Sequence, residues 1–300
     1  MLVTGGSGFL GKRLQLIRPN WIYISSRHYN LINQAECHKM YSDINPDAVL
    51  HLAAKVGGIK DNAENQASFY YQNIIINTNV VECAHKSGIK RVLSSLSTCA
   101  YPDKLEKYPF YEEDIFRGPP AETNLSYGYT KRALHVQTLS YRKQYGVNYS
   151  TFCPANIYGP GDYFDDERSH FVAALISKFV NAKKNTIELW GTGNPKRQQL
   201  YVDDLVKIIP ILLEKHNSNL PLIVAPNENL SIKEMAEIVM TKYNKIMKIS
   251  YNGNLDGQYR KDGSNKNLLE LIGDFPFISF GCGIEKTINW YLKNKESLKK

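Results

Sequence analysis

The sequence predicts an α/β fold, a doubly wound parallel sheet of the Rossmann-like kind with a smaller α/β lobe on its C-terminal side. Three observations carry that expectation. Short apolar runs alternate with helical stretches through the first half, a glycine-rich turn follows the first run, and from about Tyr158 the composition shifts to loops, short strands and separate helices. Strands that alternate with long connections pair in parallel, because parallel neighbours need a crossover rather than a tight turn.

Strands are expected at Leu2 and Val3 and at residues 21–25, 48–53, 91–95 and 147–154. Residues 69–87 and 127–145 carry apolar side chains at helical spacing, and Gly88 and Gly146 follow them where a helix end calls for a left-handed residue. These two helices are also the expected surface of a homodimer. Further on, residues 159–162 read as a loop, 169–181 as a helix, 187–190 as a strand and 191–195 as a turn. Residues 231–242 form a helix that opens on a capping Ser231 with Glu234 at the capping-box position.

A chain of 300 residues with 43% hydrophobic and 22% charged side chains can bury a large core. Its net charge of +8 comes from scattered lysines and arginines with no basic run interleaved with aromatics. That pattern argues against nucleic acid and for an anionic small molecule or a solvated surface. Cys37, Cys83, Cys99, Cys153 and Cys282 are odd in number and irregular in spacing, which argues against a disulfide framework and a structural zinc site. No apolar run approaches the ~20 residues of a membrane span, and the chain opens directly on its first strand. A cytoplasmic protein with no membrane segment is the expectation.

The run Thr4-Gly5-Gly6-Ser7-Gly8-Phe9-Leu10-Gly11 lies between a strand and a helix. Glycines at positions 5, 8 and 11 permit a tight turn, a close approach to a pyrophosphate and close packing of helix on strand. This assigns residues 1–158, rejoined by about 198–213, to a dinucleotide-binding lobe and residues 159–300 to a substrate lobe. Past the second strand, Arg27 stands where an enzyme preferring NAD would place an acid for the ribose hydroxyls, so NADPH is the expected cofactor. Leu52, Ala53 and Ala54 end the third strand with little bulk, as suits a backbone that passes close to the cofactor. His51 is given no catalytic role.

Tyr127 and Lys131 stand at i and i+4 on one helix face, where an ammonium can lower the phenol's pKa and bind a nicotinamide ribose. Such a phenol can protonate an alkoxide. Ser97 and Cys99 alternate along a segment expected to be extended, which would point both side chains the same way.

Several runs together support a more specific reading. They are His51 through Ile59, Ser97 through Pro102, Tyr127 with Lys131, Pro154 through Asp162, Ser169-His170, Trp190 through Pro195 with Arg197, Tyr201 through Asp204, and Asp256-Gly257 followed by Arg260-Lys261. In them the chain resembles, over essentially its whole length, the GDP-L-fucose synthases, the GDP-4-keto-6-deoxy-D-mannose 3,5-epimerase/4-reductases among the extended short-chain dehydrogenase/reductases. The resemblance implies that Ser97, Tyr127 and Lys131 perform the reduction and that Cys99 and His170 exchange protons at the carbons flanking the keto group. It also implies cofactor contacts at Pro154, Asn156, Ile157 and His170, beside those of the glycine run with Phe9 and Leu10. Arg197 and Lys261 match positions that bind the substrate's diphosphate, and Asn156 and Trp190 match sugar and nucleotide contacts.

Two departures stand out. Lys178 occupies a substrate-binding position where many relatives have arginine, and Tyr163 follows Asp162 where relatives commonly have asparagine. Alternatives are a reductase or epimerase of another nucleotide-linked 4-keto deoxysugar or heptose, and a non-catalytic NADPH sensor. The second is disfavoured by an intact set of Ser97, Cys99, Tyr127, Lys131 and His170.

Overall fold

The computed structural model describes residues 1–164, 169–253 and 256–298. The chain runs β1 (Leu2–Thr4), α1 (Phe9–Gln15), β2 (Ile22–Ile24), α2 (Gln34–Ile44), β3 (Ala48–His51), α3 (Ile59–Glu64), α4 (Gln66–Lys86) and β4 (Arg91–Ser95). After α5 (Leu125–Tyr145) come β5 (Asn148–Pro154), β6 (Asn156–Tyr158), α6 (Phe171–Asn181), β7 (Thr186–Leu189), β8 (Lys196–Arg197) and β9 (Gln199–Tyr201). The remainder is α7 (Val202–Lys215), β10 (Leu222–Val224), β11 (Leu230–Ser231), α8 (Ile232–Tyr243), β12 (Lys248–Tyr251), β13 (Arg260–Lys261), α9 (Lys266–Ile272) and α10 (Phe280–Leu298).

Six strands form the main sheet in the order β10-β5-β4-β3-β1-β2, and every pairing in it is parallel. The strand order reverses between β1 and β3, so the loops leaving their C-terminal ends diverge and open a crevice there. Leu2, Val3, Val49, Leu50 and Leu93 are wholly buried, as strands covered by helices on both faces require. On one flank α4 and α5 pack side by side.

The expected helix ends hold. Gly88 and Gly146 take the left-handed values φ +75° and +64°, and Ser231 with Glu234 closes a reciprocal capping box on α8. Several elements go beyond the sequence expectations, among them the edge strand β10 of the main sheet and the helices α2 and α10. The buried residues of the two helices, Cys37, Met40 and Tyr41 in α2 and Ile284, Ile288 and Tyr291 in α10, recur at helical spacing among polar neighbours.

Two apolar clusters divide the interior. The larger fills the main sheet and takes in Leu200, Val202, Leu205, Ile209 and Leu212, so β9 and α7 rejoin the N-terminal core. The smaller gathers Tyr158, Leu175, Phe179, Leu189, Met235, Phe280 and Ile288. Among the described residues no helix is long and apolar enough to cross a membrane.

Behind β5 two buried histidines share one threonine. His135 Nδ1 lies 2.9 Å from Thr151 Oγ1, and His216 Nε2 lies 3.0 Å from the Thr151 carbonyl. Burial, aided by His216 for the first and by Arg91 and Arg142 for the second, pushes both from the ordinary 6.5 down to about 4. Below the unfolded value the unfolded chain binds protons that the folded chain refuses. The stability from these groups is therefore present above about pH 6.5 and lost as pH falls toward 4, by up to about 1.4 kcal/mol per pH unit for each ring. Urea unfolding should show stability declining from pH 7 to 5, and the decline should flatten in a His135→Gln/His216→Gln variant.

Candidate active site

The glycine loop sits where β1 meets β3. A Cβ on Gly5, whose φ is +74°, would lie 2.8 Å from the Ala53 amide nitrogen, and one on Gly11 would lie 2.5 Å from the Gly5 carbonyl oxygen. Those two glycines are therefore fixed by packing. At Gly8 a Cβ would meet only the Gly5 oxygen, at 3.3 Å, so the missing side chain there leaves space in front of the loop. No acidic residue occupies the first turn of α1. A cradle of this kind suits a pyrophosphate, which needs close backbone approach and no competing carboxylate. Arg27 is exposed just beyond β2, with its backbone amide on Ser25 Oγ at 3.3 Å.

Behind the loop runs a buried polar chain. Thr4 Oγ1 accepts from the Leu52 and Ala53 amides and lies 2.8 Å from His51 Nδ1. His51 Nε2 is 3.1 Å from Asn77 Oδ1, and Asn77 Nδ2 donates to the Thr130 carbonyl. Burial, followed by the field of Lys131, lowers His51 to about 3, so the ring is a neutral structural link. The chain joins the cradle to the turn of α5 that carries Tyr127.

Ser97 and Cys99 do not lie on an extended segment. Ser97 instead caps a 3₁₀ turn at Thr98–Ala100, its Oγ accepting from the Cys99 amide at 3.2 Å. A serine is among the best residues for ending a strand this way, because its hydroxyl satisfies an amide that the tight turn leaves free. Helix α5 rests directly on this turn: a Cβ on Gly128 would fall 2.4 Å from the Cys99 carbonyl oxygen, and Arg132 Nε donates to the Ala100 carbonyl.

The expected lowering of Tyr127 by Lys131 is not the net outcome. Burial, then the charges of Cys99 and Cys153, raise the phenol well above its ordinary range. Lys131 Nζ donates to the Ser95 carbonyl at 2.8 Å and sits 5.6 Å from the Tyr127 ring centroid. Its own pKa is lowered by burial to about 8. That bond uses one of the three ammonium donors and leaves two for other partners.

The Cys99 thiol has a cation in contact. Lys261 Nζ donates to Cys99 Sγ at 3.1 Å. Burial alone would raise this thiol, but Lys261, the Ser97 hydroxyl and Arg197 together outweigh it and bring the pKa below the ordinary value. Lys261 lies on β13, which runs parallel to β8 with Lys261 opposite Arg197, so the register sets both cations on one face. The Arg197 guanidinium is pulled down by burial, while Cys99, Asp256 and Asp103 favour its charge.

His170 is the N-cap residue of α6 through its backbone, and its ring makes no cap bond. Its Nδ1 lies 2.9 Å from Asp162 Oδ1. Burial disfavours the charged ring, yet the hydrogen bond and charge of Asp162, with the field of Cys99, raise its pKa above the ordinary value.

The other expected contacts are more dispersed. Asn156 and Ile157 lie on β6 just past Pro154, the last residue of β5. Trp190 is 72% exposed at the end of β7. Lys178, on the exposed side of α6, donates to the Glu188 carbonyl at 3.2 Å. Tyr163 packs against the main core, with its amide on Asp162 Oδ1.

Four contributors were not singled out from the sequence: Asp162, Gly128, Asn77 and Thr4 as a hydroxyl. Only Asp162 carried a signal, an acid closing a Gly-Pro-Gly turn ahead of the histidine.

Residues 1–224 match the model of the NAD dependent epimerase/dehydratase family. A probable GDP-L-fucose synthase of Drosophila melanogaster is 34% identical, over 100% of this chain and 99% of its own. The GDP-L-fucose synthase of Escherichia coli K12 is 31% identical, over 99% of this chain and 97% of its own. Among solved structures, a GDP-L-fucose synthetase from Naegleria fowleri bound to NADP superposes with a TM-score of 0.91 at 31% identity, covering 100% of this chain and 94% of the other.

The contact between Lys261 and Cys99 sets a measurable reactivity. In Lys261→Met the thiolate loses its nearest cation, so the midpoint of the pH–rate curve for iodoacetamide labelling of Cys99 should move up, and labelling at neutral pH should slow severalfold. Mass spectrometry of the labelled peptide separates Cys99 from the other four cysteines.

Proposed function

We propose that this chain, which belongs to the NAD dependent epimerase/dehydratase family, is an NADPH-dependent 3,5-epimerase/4-reductase that converts GDP-4-keto-6-deoxy-D-mannose to GDP-L-fucose. The observation that carries the proposal is the setting of Cys99: a thiol with a cation on it, one turn from Ser97 and under the helix of Tyr127. A simple carbonyl reductase needs the serine and the tyrosine. It has no use for a thiol with a lowered pKa beside them.

When bound, NADPH supplies the hydride for the keto carbon. The loop of Gly5, Gly8 and Gly11 would hold its diphosphate and Arg27 its 2′-phosphate, with Phe9, Leu10, Leu52, Ala53, Ala54, Pro154, Asn156 and Ile157 as further cofactor contacts. The Ser97 hydroxyl and the Tyr127 phenol would donate hydrogen bonds to the keto oxygen, stabilising negative charge there in both reactions. A ketone acidifies the C–H bonds on either side, and inversion needs a proton removed from one face and returned on the other. Cys99 and His170 are the two groups assigned to that exchange. The raised pKa of Tyr127 keeps the phenol protonated at neutral pH, as a proton donor to an alkoxide must be. Lys131, still mostly charged at neutral pH with its value of about 8, would bind the ribose and orient the phenol.

On the substrate side, Arg197 and Lys261 offer paired cations for the diphosphate, and Trp190 and Asn156 complete the nucleotide and sugar contacts, with Lys178 at the edge. A lysine there is a point charge without the bidentate fork of arginine. The nucleotide cofactor belongs to residues 1–158 and 198–213 and the substrate to the rest. A homodimer would form on α4 and α5, whose outer faces expose Tyr70, Tyr71, Tyr129, Val136 and Tyr145. Five free thiols suit a reducing cytoplasm.

Adding GDP-4-keto-6-deoxy-D-mannose should cause NADPH oxidation, with GDP-L-fucose as product by chromatography; a protein that binds the sugar without oxidising NADPH would sink the proposal. Tyr127→Phe should reduce kcat by about 100-fold or more. In deuterated water, Cys99→Ser should stop isotope entering the sugar ring.

A further inference from the structure

We propose that Asp162 is the positioning residue of His170, fixing the ring through Nδ1 so that Nε2 is the nitrogen left to exchange protons. The inference rests on the reading of His170 as a proton-exchange group. It adds a residue to that machinery and gives it a task.

The geometry is specific. Asp162 is 3% exposed, and its Oδ1 meets both His170 Nδ1 at 2.9 Å and the Tyr163 amide at 2.8 Å. Its Oδ2 is buried without a hydrogen-bond partner among the described residues. A carboxylate can only accept, so Nδ1 must carry the hydrogen and the tautomer is set. Burying a carboxylate is costly unless it is paired, and here the pairing is with the imidazole.

The loop is built to hold that carboxylate in place. Gly159 and Gly161, at φ +151° and +92°, flank Pro160, and a Cβ on Gly159 would lie 2.5 Å from Val202 Cγ1 at the start of α7. Ser169 Oγ donates to the Tyr163 carbonyl and ties the far end of the segment. The His170 side chain is 43% exposed while that of Asp162 is 1% exposed, so the acid stands behind the ring rather than beside it in solvent.

Two charged or titratable groups act on His170 among the described residues, Asp162 and Cys99, and both favour its protonated form against burial. Loss of the Asp162 charge leaves burial to dominate. The imidazolium would then persist only to a lower pH than in the native protein.

The test follows the His170 ring by NMR in histidine-labelled protein, assigned by its loss in His170→Gln, for the native chain, Asp162→Asn and Asp162→Glu. In Asp162→Asn the titration midpoint should fall by about one pH unit or more. The kcat for solvent-deuterium exchange into the keto sugar should drop about tenfold or more, with KM nearly unchanged. Asp162→Glu should keep the raised midpoint and recover part of kcat. An unchanged His170 midpoint in Asp162→Asn, or an unchanged pH profile of kcat, overturns the proposal. If Asp162→Asn does not fold, Asp162→Glu decides: a kcat equal to the native value would show that the placement of the carboxylate is immaterial. Should the native protein exchange no deuterium at all, the functional reading falls, while the titration still decides whether Asp162 holds the ring.

Discussion

Helix α5 lies on the bare backbone of the turn that carries Cys99, and the rest of the site depends on that contact. Gly128 makes it possible, since any side chain there would overlap the Cys99 carbonyl. Its chain neighbour Tyr127 is thereby brought to the thiol, and Lys131, one turn on, reaches the Ser95 carbonyl at the end of β4. The polar chain from Thr4 through His51 and Asn77 ends on the Thr130 carbonyl of the same helix. These contacts anchor α5 at the turn that carries the phenol. Preorganisation of this kind is what makes a hydrogen-bond donor effective toward developing charge.

Around that contact the charges are arranged in opposition. The thiol, which burial would keep neutral, has a lysine against it and an arginine opposite that lysine in the strand register. The imidazole, which burial would also keep neutral, has an aspartate behind it. In both cases the partner arrives from a different part of the chain: β13 for Cys99, and the Gly-Pro-Gly-Asp loop for His170. Each partner acts against desolvation, and each wins because the pair is in direct contact.

Much of this was legible in the sequence because it is local. The glycine spacing after β1, the glycines that end α4 and α5, and the Ser231–Glu234 cap all rest on interactions within a few residues, where sequence and geometry are nearly the same information. The packing of β9 and α7 against the main core is a tertiary contact, and the sequence offered it only as an option. The 3₁₀ turn at Thr98–Ala100 was not legible, since a serine two residues before a cysteine reads equally as an alternating strand; the deciding contact is the packing of α5 onto the turn. Lys261 looked like a diphosphate ligand and nothing more, because its nearness to Cys99 depends on pairing between β8 and β13 across 162 residues of chain.

By itself, then, the sequence determined the parallel α/β fold and the cradle for a dinucleotide, because periodicity, turn chemistry and motif spacing are encoded locally, and by resemblance it suggested the side chains proposed to meet a keto sugar. The tertiary structure decided the protonation of those side chains. Whether Tyr127 is lowered by Lys131 or raised by burial, and whether Cys99 is an inert thiol or one held by a cation, turn on distances of a few ångströms between elements far apart in the chain. Electrostatic effects at that range change sign with placement, and no spacing along the sequence records it.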